Sequence, residues 1–121
     1  MLLAALLPLR LPEMLILLDH STPAPLSSYL AGHTVVEARD RGWDRLSNGD
    51  LLAEAERAGF DVLLTADNGI AYQQNLKDRR IALVVLTRNR WRLVQRVIRK
   101  VVAAVNAAEP GSYTLIDIPI K

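Results

Sequence analysis

Short apolar runs alternate with amphipathic and polar segments along the 121 residues of this chain. Runs rich in Leu, Ile and Val predict β-strands over residues 14–18, 34–38, 62–65, 81–86 and 113–118. Most of these runs are apolar without alternation, which is typical of strands covered on both faces. The segments between them therefore have to supply the covering layers.

Helices are predicted in most of these intervening segments. The pattern places a short helix up to about Leu30, a clear helix over 51–58 that ends at Gly59, one or two turns over 71–76, and a long helix over about 89–108. The pattern predicts a charged loop over residues 39–46. Alternating strands and helices predict an α/β fold with a mostly parallel five-stranded sheet, right-handed crossovers and helices on both faces.

Two of the predicted strands end in an aspartate, Asp19 after the first and Asp67 after the third. If these strands are neighbours, both carboxylates lie in one crevice at the carboxyl edge of the sheet, where open α/β sheets bind their ligands. Carboxylate oxygens there suit a hard divalent cation such as Mg²⁺ or Mn²⁺. The alternatives are helix capping for Asp19 and turn formation for Asp67, which begins the turn sequence Asp67-Asn68-Gly69.

A third carboxylate, Asp50, lies in the first turn of the helix over 51–58, three residues after Ser47. It either completes the metal site or belongs to a capping-box variant, and the two roles are compatible. Amides near these acids could orient water or phosphate oxygens, or satisfy loop backbone groups instead. The amides chosen as supporting residues are Asn48, Asn68, Gln73 and Asn75.

The segment from Arg88 to Lys100 carries basic residues and no acid. Trp91, Val94, Ile98, Val101 and Val105 follow helical spacing and predict a buried stripe. The basic side chains then point outward and form either a surface for a phosphate backbone or an acidic partner, or a solvated helix face. The arginines predicted to contact nucleic acid are Arg88, Arg90, Arg92 and Arg96, the first two near the edge that carries the acids.

Composition excludes several kinds of site. The chain has no cysteine, so disulfides, thiolate metal sites and a cysteine nucleophile are excluded. Two histidines are too few for a histidine-rich zinc site. The net charge is only +2, so the position of the basic residues matters more than their number.

Residues 1–13 form an apolar N-terminal extension that is too short to span a bilayer and lacks the positive n-region of a signal peptide. Met14 directly precedes the first strand. We therefore expect translation to begin naturally at Met14, residues 14–121 to form one domain, and the protein to be cytoplasmic. Packing of the extension on the domain surface is the alternative.

Several segments together resemble a family of small bacterial PIN-like proteins, which are related to PIN-domain ribonuclease toxins. The matching segments are Met14–Asp19, Gly32–Val36, Gly42-Trp43, Asn48–Leu52, Gly59–Asp67, Tyr72–Leu76 and Arg79–Ile81. The resemblance implies a three-layer PIN-like fold, a Mg²⁺- or Mn²⁺-dependent nuclease site for RNA, and a small antitoxin-like partner protein. It also implies that Asp19 and Asp67 are site acids, with Asp50 an approximate match for a third.

The chain departs from that family at two positions. His20 stands where close relatives often carry a second acid, and Asn48 stands where related sequences often have Asp. Three hypotheses follow: a metal-dependent ribonuclease of PIN-like type, a non-catalytic PIN-like module that binds RNA or protein, and a receiver-like phosphoacceptor domain. A homodimer is a further expectation.

Overall fold

The computed structural model describes residues 13–68, 76 and 78–121. Five strands form one sheet in the order β2-β1-β3-β4-β5, and every neighbouring pair is parallel. The strands are β1 (Leu15–Leu18), β2 (Thr34–Glu37), β3 (Val62–Thr65), β4 (Ala82–Leu86) and β5 (Tyr113–Ile116). The predicted five-stranded α/β architecture is confirmed, and the sheet is entirely parallel. The predicted turns over 71–76 lie outside the described residues except for Leu76.

The clear helix of the sequence is α1 (Asn48–Arg57). It begins where the Ser47 hydroxyl accepts a hydrogen bond from the Asp50 amide, at 3.3 Å. It ends before Gly59, whose φ of +88° is the left-handed conformation that glycine adopts at low cost. Both predicted boundary signals are therefore confirmed.

The other helices differ in detail from their predictions. The short helix is a 3-10 helix, Ala24–Tyr29, in which the hydroxyls of Ser27 and Ser28 donate to carbonyls three residues earlier. A second 3-10 helix, Ala38–Arg41, occupies part of the predicted charged loop. The predicted long helix is divided at Val97 into α2 (Trp91–Arg96) and α3 (Ile98–Asn106). Val97 and Ile98 are both β-branched, which lowers helix propensity at the junction.

Both faces of the sheet are covered, which gives three layers. On one face, α1 packs on strand residues such as Leu17, Leu63 and Leu83. On the other, α2, α3 and the first 3-10 helix pack on residues such as Leu18 and Leu64. Strand residues buried on both sides explain the continuous apolar runs of the sequence.

The crossovers through α1 and through α2–α3 have opposite hands. The first crossover leads from β2 to β3 and the second from β4 to β5, so both move in the same direction across the sheet. The helix of the first, α1, lies on one face of the sheet, and the helices of the second, α2 and α3, lie on the other. The prediction of right-handed crossovers throughout is therefore wrong for one of them. On the face that α2 and α3 cover, the β1–β2 connection contributes only a six-residue 3-10 helix. We attribute the reversal to the need to cover the apolar residues left on that face, which α2 and α3 do.

Because all strands are parallel, their carboxyl ends lie at one edge of the sheet. The chain leaves β1 toward β2 and leaves β3 toward β4, so the two connections diverge between β1 and β3. Such a divergence, a topological switch point, is where open α/β sheets form a ligand crevice. Asp19 and the residues after Thr65 lie at this point.

Candidate functional site

Asp19 is a buried carboxylate at the end of β1, with only 4% of its surface exposed. Its backbone amide continues the pairing of β1 with β3 by donating to the Leu64 carbonyl at 3.1 Å. Its Oδ1 accepts from the amide and the hydroxyl of Ser21, at 2.8 and 2.5 Å. Its Oδ2 accepts from the hydroxyl of Thr65, on β3. Burial of the carboxylate is therefore compensated by three hydrogen bonds.

The hydroxyls of Ser21 and Thr65 extend this cluster to the loop after β3. Ser21 Oγ accepts from the Ala66 amide at 2.9 Å, and Thr65 Oγ1 accepts from the Asp67 amide at 3.0 Å. Since both hydroxyl protons point to Asp19, the 3.4 Å approach of the two hydroxyl oxygens to each other is a contact and not a hydrogen bond. The cluster ties the ends of β1 and β3 together and fixes the orientation of the Asp19 carboxylate.

Helix capping does not explain Asp19. The 3-10 helix that follows has no side-chain cap at its first turn. Asp19 instead forms a local turn, in which its side chain holds the Ser21 amide and its carbonyl accepts from the amide of Thr22 at 3.1 Å. The capping alternative for Asp19 is wrong, although a local structural role is present.

Whether Asp19 can also bind a cation depends on how many of its lone pairs already accept hydrogen bonds. A carboxylate offers about four lone-pair positions, and three are filled here, two on Oδ1 and one on Oδ2. One position on Oδ2 remains for a ligand. A single carboxylate oxygen in a fixed orientation is compatible with Mg²⁺ or Mn²⁺, which keep several waters when protein carboxylates bind them.

Asp67 and Asn68 follow β3 on the exposed side of this crevice. Asp67 is exposed, and its amide is the one held by Thr65. Asn68 is also exposed and donates from its side-chain amide to the Thr87 carbonyl at 3.3 Å, which links the ends of β3 and β4. The predicted partners Gln73 and Asn75 lie outside the described residues.

Asp50 and Asn48 are located by the first turn of α1, which begins near the same edge because α1 leads from β2 to β3. Asp50 is exposed, and its amide takes part in the Ser47 cap. Asn48 is the first residue of the helix and is partly buried. Within residues 13–68, 76 and 78–121, no three His, Cys, Asp or Glu side chains come together closely enough to hold a metal ion. The structure therefore does not bring Asp50 into a three-acid cluster with Asp19 and Asp67.

Glu37 is an acid at the same edge that the sequence prediction did not select. It is the last residue of β2, in register with Leu18, and it lines a small cavity of about 130 Å³ together with Asp19, His20 and Arg39. Arg39 Nε lies 3.1 Å from the Glu37 carboxylate. The signal was the same one that identified Asp19, an acid that ends a strand, but the strand was predicted to continue to Ala38.

Basic residues line a larger cleft beside the loop after β3. This cleft, of about 520 Å³, is bounded by Ala66, Thr87, Arg88, Asn89, Arg90, Leu93 and Ile120. Arg88 is anchored by a 2.6 Å hydrogen bond from its guanidinium to the Ile118 carbonyl. Two of the four predicted arginines therefore lie at the sheet edge. Arg92 and Arg96 are exposed on α2 and do not line the cleft.

Comparison with known proteins adds no assignment. No family model, no curated protein and no solved structure matches this chain. No helix among the described residues is long and apolar enough to cross a membrane.

Proposed function

We propose that the chain is a metal-dependent ribonuclease of PIN-like type, with its site in the crevice between the ends of β1 and β3. The observation that carries this proposal is Asp19, a buried carboxylate held in a fixed orientation at the switch point of a parallel sheet. Keeping a carboxylate in such a place needs compensating hydrogen bonds, which Ser21 and Thr65 supply.

Asp19 and Asp67 would hold Mg²⁺ or Mn²⁺ through carboxylate oxygens, with Asp50 at the adjacent helix start. The bound ion would lower the pKa of a water and stabilise charge on the phosphate being cleaved. Ser21 and Thr65 keep Asp19 oriented, so that its remaining lone pair faces one direction. Asn68, through its bond to the Thr87 carbonyl, fixes the loop after β3 to the end of β4, beside the crevice.

Arg88 and Arg90 supply the positive charge that a polyanionic substrate requires. They line the cleft next to the crevice, and Arg88 is anchored by the Ile118 carbonyl. A guanidinium with one N–H so engaged still presents four donors, which suits a phosphate. We extend the proposal to a cytoplasmic toxin–antitoxin role, in which a small antitoxin-like protein covers this edge.

The test is cleavage of an RNA substrate with Mn²⁺ by the wild type, Asp19→Asn and Asp67→Asn. Glu109→Gln serves as a matched control, since Glu109 is exposed and precedes β5 at the opposite edge of the sheet. We expect loss of at least about 100-fold in rate for both aspartate variants, the size typical of losing a charge-stabilising group, and no change for the control. Equal activity in all four proteins would eliminate the proposal.

A second candidate function is a non-catalytic module that binds RNA or protein. It is favoured by the lack of a three-acid cluster within the described residues and by the three internal hydrogen bonds that Asp19 already accepts. Calorimetry that shows no Mn²⁺ binding, together with RNA binding retained in Asp19→Asn, would support this function. Labelling of Asp67 by acetyl phosphate would support the receiver-like alternative instead.

A further inference from the structure

An apolar groove crosses the outer surface of α3, away from the carboxyl edge. It encloses about 460 Å³ and is lined mostly by apolar atoms of Tyr29, Ile98, Arg99, Val102, Ala103 and Asn106. Positions 99, 102, 103 and 106 follow the i, i+3, i+4, i+7 spacing of one helix stripe. The fully buried residues of α3, Val101 and Val105, lie outside this stripe. Ile98 and Val102 are only partly buried against the core and Ala103 is exposed, so α3 leaves apolar surface open to the groove.

The walls of the groove are held in place. Tyr29 is 41% exposed, yet its ring contacts Trp91 with a centroid distance of 5.6 Å. At the other end, the Asn106 side-chain oxygen lies 2.7 Å from Nε2 of His33, whose Nδ1 accepts from the Met14 amide. A surface whose side chains are already ordered loses less entropy when a partner binds.

The dimensions of the groove fit a helix. From Ile98 to Asn106 the axis of α3 extends about 12 Å, which is a little over two helical turns. Recognition of an amphipathic helix in such a groove uses apolar anchors at i, i+3 or i+4 and i+7 of the partner. The exposed tyrosine is a residue type enriched in protein interfaces.

The positive charge around the groove favours a partner helix with acidic residues. From Arg79 to Ala108 the chain contains no acidic residue. Arg99 lines the groove, and Arg96 and Lys100 beside it in the chain are exposed. We propose that this α3 groove binds an acidic amphipathic helix of a partner protein. RNA would use the cations but leave the exposed apolar surface of the groove uncovered, so the observations favour a protein ligand.

This proposal does not depend on the ribonuclease assignment. The groove ends at Asn106, and α3 leads into the amino end of β5, so the groove lies along the outer face toward the amino edge. A helix bound there leaves the β1–β3 crevice open. The surface is therefore distinct from an antitoxin site that blocks the crevice.

The test measures fluorescence anisotropy of a labelled peptide of about 16 residues, roughly four helical turns, added to the full chain. The peptide has Leu along one helix face and Glu on both flanks, and a control peptide has the same composition in shuffled order. We expect the amphipathic peptide to bind at least about tenfold more tightly than the control, a difference of about 1.4 kcal/mol. Equal binding of the two peptides would overturn the proposal.

Three variants separate apolar packing from charge. Ala103→Arg fills the groove at an exposed helix position while adding positive charge, and we expect it to abolish peptide binding. Arg99→Glu should weaken binding about tenfold, and Arg45→Glu, at an exposed loop position, should leave it unchanged. Circular dichroism of each variant establishes that it is folded.

The same variants expose the competing explanation. If Ala103→Arg binds the peptide as tightly as the wild type, the groove is not the binding surface and the proposal fails. If a polyuridine oligonucleotide binds instead, more tightly in Ala103→Arg and less tightly in Arg99→Glu, the surface belongs to nucleic acid and the proposal also fails.

Discussion

Replacing Thr65 with valine tests whether Asp19 depends on the hydroxyl cluster. Valine has nearly the same shape but cannot donate to Asp19 Oδ2 or accept from the Asp67 amide. Thr65 is fully buried, so water cannot easily replace the lost donor. A hydrogen bond to a charged group contributes about 1.5–3 kcal/mol, and part of it is recovered by burying an additional methyl group. We expect Thr65→Val to lower the free energy of unfolding by about 2 kcal/mol.

Thr65→Ser is the matched control, because it keeps the hydroxyl and removes only one methyl group. We expect it to lower the free energy of unfolding by about 1 kcal/mol. Urea unfolding at pH 7, followed by circular dichroism, measures both variants. If Thr65→Val is as stable as Thr65→Ser or more stable, the Thr65 hydroxyl does not support Asp19 and the description of the cluster is incorrect.

Three further predictions concern the scaffold, all measured as free energies of unfolding in urea. Gly111 has a φ of +75°, and a Cβ there would lie 2.9 Å from the Arg79 carbonyl oxygen, whereas Gly32 has a φ of +91° and open space around it. Gly111→Ala should therefore lower the free energy of unfolding by about 2–4 kcal/mol, and Gly32→Ala by about 1–2 kcal/mol. Equal losses would contradict the close approach of residue 111 to the Arg79 carbonyl. Ser47→Ala should lower the free energy of unfolding by about 1 kcal/mol, and Ser47→Asp by much less, since aspartate also caps a helix. An equal loss in both variants would show that the Ser47 side chain does not stabilise α1 by capping it. The Arg80 amide, with Arg79, holds the pKa of Glu56 below its usual value. Glu56 therefore adds stability above its unfolded pKa of about 4.3, and this stability is lost as the pH falls through the lower folded pKa. The difference between wild type and Glu56→Gln, up to about 1 kcal/mol at pH 6, should shrink toward pH 3; a constant difference would contradict the linkage.

The elements of the fold were largely predictable because they depend on local signals. Continuous apolar runs located all five strands, and the Ser47 and Gly59 boundary signals located α1. The break at Val97 was not predictable from periodicity, because Val94, Val101 and Val105 still face the core on both sides of it. The face chosen by α2–α3 was not predictable either, since it depends on how much of each sheet face the other connections cover.

The site was predictable in position but not in composition. An aspartate after an apolar strand located Asp19 at the carboxyl edge. Its contacts with Thr65 depend on the pairing of β1 with β3, which aligns Leu18 with Leu64 and which no local pattern specifies. Glu37 was missed because the end of β2 differs by one residue from its prediction. Small errors at strand ends therefore have little effect on the fold but change which acids are identified at the carboxyl edge of the sheet.

We propose that the crevice between β1 and β3 binds a divalent cation through Asp19. The most direct measurement is the nuclear magnetic resonance spectrum of backbone amides during addition of substoichiometric Mn²⁺, because the paramagnetic ion broadens the signals nearest to it. We expect the amides of Ser21, Ala66 and Asp67, which lie around the Asp19 carboxylate, to broaden first, and Asp19→Asn to abolish the effect. Broadening centred on other acids, or the same broadening in Asp19→Asn, would contradict this proposal.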